Sequence, residues 1–506
     1  MNCVKEKLSY KKPVLTLTDT IKVECKADAP EKGTEILTTL PFVSPLETVS
    51  LDGQLTYKGK LILTVVYMTD NGVKNVECAT EFSSSIKDEK ITPFTHVRTK
   101  TTVLKTELPD FTGNISASIT IKCDFEFFQQ SEISYVCGGD GIVLKKDVVN
   151  TFYLEDVKTS DVYVDEDFTL NYPVKNMLLH NESIYPVGVN AGVDCIIIDG
   201  EAVISTYLLQ KEENNDIIKE VRTLPFKVEV PFDGIMPKKA CHTCLQLKSA
   251  RYDVVVEEET NKTTVNVGLD LSVTAYLFNE QTCQLPLDAF SVEKELAIKN
   301  CERCLDKFSN NKALTLKFNE RVALSPEPEA GARILFTLPE EFNITDYTFS
   351  NDVLTIDAVI FAKTVIKDFD GIIKTIPYKF LVELSQKIDN VDKNETILSV
   401  DGFLTDINSR LVTLSEAECY GNIKVFVKFK SNNTICYVED IAETGVKQQK
   451  TNAISVYIAL KGENLWDLAK RLNIPPDDVI KLNPELEFPL SGDERIIIYR
   501  QMNKEY

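Results

Sequence analysis

Before residue 460 the apolar and polar positions of this chain alternate with a period of two. Gln54-Leu-Thr-Tyr-Lys-Gly59 runs into Lys60-Leu-Ile-Leu-Thr-Val-Val-Tyr67, Asn71-Gly72 turns the chain, and Val73 to Phe82 returns. Alternation of this kind sends one set of side chains to a core and the other to solvent, so it predicts half-buried strands. Asn-Gly suits the turn because a tight hairpin needs positive φ. The runs Ile115 to Phe127, Val265 to Phe278 and Ile423 to Phe429 predict further strands, and helical spacing is almost absent here.

The strand pattern recurs. Val14-Leu-Thr-Leu17 returns as Ala313-Leu-Thr-Leu316, 299 residues on; Ile36-Leu-Thr-Thr-Leu-Pro41 returns as Ile334-Leu-Phe-Thr-Leu-Pro339 at 298; Asn71-Gly72 returns as Asp370-Gly371 at 299. Between them a weaker copy places Phe168-Thr-Leu170 where Val14 stood, at 154, and Gly200 where Gly59 stood, at 141. Read this way, the middle copy has lost about a dozen residues from its first half. The expected fold class is mainly β and multidomain: three tandem all-β repeats, each a sandwich or partly open barrel, over 10–158, 159–309 and 310–446. Repeats of this size are expected to fold as beads, presenting three similar surfaces to partners.

After Lys450 the period changes. Ser455 to Leu460 reads as a short strand and Lys461 to Asn464 as a turn. Leu465, Leu468, Ala469 and Leu472 then fall on one face of a helix, with Asn464 as N-cap and Asn473 as its stop. Pro475-Pro476 leads to a second helix with Asp477 as N-cap, Asn483-Pro484 ends it, and Arg495 to Tyr499 is a closing strand. The whole is a small β-α-α-β domain over 453–500.

Composition narrows the function. With 77 acidic and 56 basic residues the formal charge is −21, which argues against a nucleic-acid surface, since that needs a basic patch. The first dozen residues lack the apolar core of a signal peptide, and no apolar run is long enough to span a bilayer, so a cytosolic chain is expected. Thirteen cysteines, an odd and scattered count, read as reduced thiols. Enzymatic chemistry finds no constellation: there are three histidines, His96, His180 and His242. Gly138-Gly-Asp-Gly141 lacks the residues of a phosphate loop and reads as a turn, and Asp165-Glu-Asp167 reads as a solvated acidic loop. The pairs Cys241/Cys244 and Cys301/Cys304 are placed in the middle repeat with the spacing of zinc ligands. A structural zinc is one reading of them, and unpaired thiols in loops or occasional disulfides are the other. No other cofactor is expected.

The run Val456 to Ile474, continued by Asp478-Val-Ile-Lys-Leu-Asn-Pro484, Gly492 and Ile496 to Ile498, resembles a LysM domain. That resemblance implies a shallow groove for N-acetylglucosamine polymers. Gly462, Glu463, Asn464 and Leu465 would line one side, Asn483, Pro484 and Glu485 the other, and Trp466 would sit beside the loop. The chain departs from the pattern at Glu463-Asn464, where Asp-Thr is usual, and at Tyr499, where Pro is usual. Three β repeats followed by one such domain are similar to the SipL-like spore-coat morphogenetic proteins. This wider resemblance implies a non-enzymatic scaffold in the mother-cell cytoplasm at the forespore surface. Its β repeats would contact coat proteins, and its LysM domain would dock the coat basement-layer ATPase, stage IV sporulation protein A. The alternative is a peptidoglycan-binding protein of the spore envelope.

Overall fold

The computed structural model describes residues 2–29, 31–93, 96–108, 114–211, 217–257, 259–447 and 454–499. The first unit contains β1 (Cys3–Asp28), β2 (Gly33–Val43), β3 (Glu47–Leu51), β4 (Gln54–Thr69), β5 (Gly72–Lys87), β6 (His96–Glu107) and β7 (Asn114–Gly139). The second contains β8 (Val143–Leu170), β9 (Val174–Ala191), β10 (Cys195–Gln210), β11 (Ile217–Pro231), β12 (Cys241–Glu257) and β13 (Lys262–Phe290). The third contains β14 (Lys294–Ala323), β15 (Arg333–Ser350), β16 (Val353–Lys367), β17 (Ile373–Lys387), β18 (Glu395–Leu411) and β19 (Glu416–Val446). The fold is mainly β, in several antiparallel sheets.

Each unit uses one topology. Its first strand pairs with its last, and the last with the penultimate, giving β1-β7-β6, β12-β13-β8 and β14-β19-β18. The middle strands form a separate meander: β2 and β3 on one side of β4 with β5 on the other, then β9-β10-β11 and β15-β16-β17. Alternation brings the two sheets of a unit together over one core. In the first unit Leu55, Tyr57, Leu61, Leu63 and Val65 of β4 face Ile115, Ala117, Ile119, Ile121, Cys123, Phe125 and Phe127 of β7. The hairpin between β4 and β5 turns at Asp70-Asn71, with Gly72 just beyond at φ +106°.

Matched glycines in the meanders make room for an aromatic ring. Gly59 lies opposite Phe82 and Gly200 opposite Phe226, and a Cβ on Gly200 would stand 2.3 Å from the Phe226 ring. Gly200→Ala is therefore expected to cost about 1–3 kcal/mol through overpacking, read as a lower denaturant midpoint.

The ribbons β1/β7, β8/β13 and β14/β19 each carry a register shift at a corresponding place. Val14, Glu155 and Ser309 are the extra residues, opposite Phe127/Phe128, Leu277/Phe278 and Phe429/Lys430. An extra residue bends a strand pair, and beyond each bend the ribbon leaves its sandwich and packs on the other two. Leu8, Ile133 and Tyr135 meet Tyr153, Cys283 and Leu285 of the second ribbon and Leu305, Ile435 and Tyr437 of the third. A second shared core joins the meanders through Leu37 and Val66, Leu179 and Tyr207, and Leu338 and Val365.

The units are therefore fused about common cores and are not beads. Their outward strand faces are apolar at equivalent positions, and three such faces cover one another. The divisions at 158/159 and 309/310 fall inside β8 and β14; the chain passes from one set of sheets to the next around 140–142 and 291–293. Val14 precedes Gly59, and Glu155 precedes Gly200, by the same 45 residues (59 − 14 and 200 − 155), so the middle copy has not lost a dozen residues. Phe168 lies far along β8, paired with Val265, and its likeness to the Val14 segment was one of composition.

Asp140-Gly141 forms a turn as expected, whereas Asp165-Glu-Asp167 lies within strand β8. Cys25 of β1 and Cys78 of β5 form a disulfide inside the first core, which corrects the expectation of thirteen reduced thiols. The remaining eleven cysteines are free. Count parity carries no information about which two inward positions face each other across a sandwich.

The C-terminal segment forms β20 (Ile454–Ile458), α1 (Leu465–Leu472), α2 (Pro476–Leu482) and β21 (Arg495–Tyr499), with β20 and β21 antiparallel. Asn473 ends α1 in the left-handed region at φ +58°. Helix α2 starts two residues earlier than an N-cap at Asp477 predicts, because Pro476 has the φ that a first helical position requires. No helix among the described residues is long and apolar enough to cross a membrane.

Candidate functional site

The loop residues expected to line a groove are occupied mostly within the module. Gly462 turns the chain at φ +81°, and its amide donates to the Leu490 carbonyl at 2.8 Å, while the Leu490 amide donates to the Glu463 carbonyl at 2.9 Å. The Glu463 carboxylate accepts from the Leu460 amide and pairs with Arg471, leaving the side chain only 7% exposed. Asn464 Oδ1 caps α1 by accepting from the Asp467 amide at 3.0 Å.

Across the loop, Asn483 is buried. Its Nδ2 donates to the carbonyls of Val479 and Ile497, both at 2.9 Å, and its Oδ1 accepts from the Ile497 amide at 2.6 Å. It ties α2 to β21 and presents no polar atom to a ligand. Leu465 is half-buried, whereas Asn464, Pro484 and Glu485 reach the surface. The resemblance to a LysM domain implied a ligand at this loop; the hydrogen bonds within it are what tertiary structure adds.

Trp466 faces inward. Its ring meets Phe290 at the end of β13 with centroids 5.2 Å apart, and its Nε1 donates to Asp288 Oδ2 at 2.8 Å. Lys470 Nζ donates to both oxygens of Asp288 at 2.7 and 2.8 Å, and Lys447 Nζ bridges the Ser291 carbonyl and Asn473 Oδ1. Burial opposes ionisation of Asp288, but the hydrogen bonds from Lys470 and Trp466 outweigh it and hold the carboxyl below its ordinary range. These contacts seat the module on the second ribbon.

Trp466 is the only tryptophan, so its fluorescence reports this seat. Asp288→Ala is expected to shift its emission to the red in the full chain while the circular dichroism of the β units stays unchanged. Acid should act alike: the contribution is present above the ordinary carboxyl value of 3.8 and is lost as pH falls through the lowered folded value.

A different surface is left open. In β20 the side chains of Ile454, Val456 and Ile458 point away from the helices; the register sets Ile454 opposite Tyr499 and Val456 opposite Ile497 on β21. Val456 is 63% and Ile497 47% exposed, whereas Ile496 and Ile498 on the reverse face belong to the module's core. The reverse face of this two-stranded sheet is covered, and its outward face, apolar except at Arg495, is not. The signal was present in the uninterrupted Ile496-Ile-Ile498, since period two obliges the middle residue to point outward. An exposed apolar patch of this kind marks an interaction surface.

The cysteine pairs do not converge. In a strand, residues three apart lie on opposite faces. Cys241 joins the core of the second unit, Cys244 packs beside Tyr276 and Phe278, Cys301 lies with the shared ribbon core, and Cys304 is exposed. Cys301 and Cys304 stand on β14 of the third unit, not in the middle repeat, and all four residues are in strands rather than loops. Among the described residues no group of three or more His, Cys, Asp or Glu is arranged to hold a metal ion.

Of the histidines, His180 Nδ1 lies 2.6 Å from Glu182, which Tyr252 also contacts; His96 neighbours Phe128; and His242 stacks on Tyr276. Comparison of the chain with protein-family models, with curated proteins and with solved structures gives no match.

Proposed function

We propose that the chain is a non-enzymatic scaffold of spore-coat assembly, of the SipL-like kind. It would act at the forespore surface in the mother-cell cytoplasm, with its LysM-like C-terminal module docking the basement-layer ATPase, stage IV sporulation protein A. The observation that carries this reading is the division of labour within the module. The polar groups expected to meet sugar hydroxyls are largely spent on internal hydrogen bonds, whereas an apolar sheet face lies open. Sugars are recognised through arrays of polar donors and acceptors, and an aliphatic face with Ile454, Val456 and Ile497 at its centre suits the apolar surface of a folded protein. The fused β body supports the scaffold role, because it can offer coat proteins three related surfaces at fixed relative positions.

The test is affinity of the full chain for the purified ATPase and, separately, for chitin oligomers. Saturable binding to the ATPase is expected, and a fluorescently tagged chain should form a shell around the forespore. Tight oligomer binding without ATPase binding would overturn this reading in favour of a peptidoglycan-binding envelope protein.

A further inference from the structure

Where the three sandwiches meet, their last strands turn equivalent outward residues toward one another: Glu126 and Phe128 of β7, Tyr276 and Phe278 of β13, Lys428 and Lys430 of β19. Between them lies a cavity of about 530 Å³, within the range of small-molecule sites. Lys11, Lys12, Arg98, Arg303, Lys428 and Lys430 line it, against the carboxylates of Glu126 and Glu302. Arg98 is held in place by Glu126 at 3.4 Å, Lys428 by Asp401 at 3.2 Å, and Lys11 by Asp156. Among the described lining residues cations outnumber acids, in a chain whose net charge is −21.

Aromatic rings line the cavity beside these charges. His242 stacks on Tyr276 with centroids 4.4 Å apart, and Phe278 stacks on Phe308 at 5.6 Å. His242 is 9% exposed and its Nδ1 has no hydrogen-bond partner. Burial, with the charges of Lys428 and Arg98, holds the His242 pKa well below its ordinary value, so the ring is neutral at pH 7 and adds no charge to the wall.

We propose that this three-unit cavity binds a small phosphate-bearing molecule with a flat apolar body, the chemistry of a nucleoside monophosphate. Its anionic group would lie between Arg98 and Lys428, and its ring would lie along the wall of His242 and Phe278. The site needs all three units, so ligand would bind only the fused body and raise its stability by mass action. The inference does not depend on the scaffold reading.

The experiment is calorimetric titration of the full chain with AMP, adenosine and inorganic phosphate, paired with thermal unfolding. AMP is expected to saturate a single site, to bind more weakly as salt rises, and to raise the melting temperature. Adenosine and phosphate alone should each bind at least about tenfold more weakly. Arg98→Gln should cost about tenfold or more in AMP affinity. Lys12→Gln, at an exposed position that leaves the fold alone, should cost a smaller factor and flatten the salt dependence. Absence of saturable AMP binding would overturn the proposal, as would unchanged AMP affinity in the folded variants. Should Arg98→Gln not fold, Lys12→Gln decides.

Discussion

Replacing Tyr207 with Ala is expected to lower the stability of the entire three-unit body by about 3–5 kcal/mol. Tyr207 belongs to the second unit, but its fully buried ring lies 4.8 Å from Phe336 of the third unit, its hydroxyl donates to the Thr337 carbonyl at 3.3 Å, and Leu37 and Val66 of the first unit share its cluster. Truncation empties a volume that all three units line, and none can refill it without moving the others. Denaturant unfolding followed by circular dichroism should show one transition at a lower midpoint. Independent beads would instead give two natural transitions and one shifted, and that outcome would contradict a fused body. Tyr207→Phe keeps the ring and should cost only about 1 kcal/mol, the share of the hydroxyl's hydrogen bond.

Substituting Val456→Glu together with Ile497→Lys is expected to weaken the proposed binding of the basement-layer ATPase about 100-fold or more, the scale of losing desolvated anchors from an interface. The two residues are directly opposed on β20 and β21 and largely exposed. An opposite-charge pair preserves strand pairing, so the change in fold stability should stay within about 0.5 kcal/mol. Glu485→Lys, at the exposed loop, should alter affinity by no more than about threefold, since rim charges contribute little. If Glu485→Lys abolished binding and the sheet-face pair did not, the partner would sit on the loop. Glu463→Lys is not a clean probe of that loop, because it would break the pairing of Glu463 with Arg471.

The helices of the C-terminal module were legible because capping and stop signals act within a few residues: Asn464 caps α1 and Asn473 ends it. The expected groove was less so, since nothing local distinguishes an asparagine that meets a ligand from one that, like Asn483, bonds a strand fourteen residues away. The cysteines make the same point twice. Their spacing suggested shared ligation, yet strand parity sends Cys241 and Cys244 to different faces, while the unremarked Cys25 and Cys78 meet across a core.

By itself the sequence determined that strands dominate, where their hairpins turn, that the β unit is repeated, and that a small helical module follows. These properties depend on side-chain period, turn chemistry and short-range capping, all written in neighbouring residues. Only the tertiary structure decided that the three units fuse, that Trp466 seats the module on Phe290 and Asp288, and that cations from two units and aromatic rings from all three gather around one cavity. A strand's outward apolar residue looks the same in the sequence whether it meets water, a partner or another unit. Which of these covers it depends on where the bends at Val14, Glu155 and Ser309 aim the ribbons, and that is set by packing among segments more than a hundred residues apart.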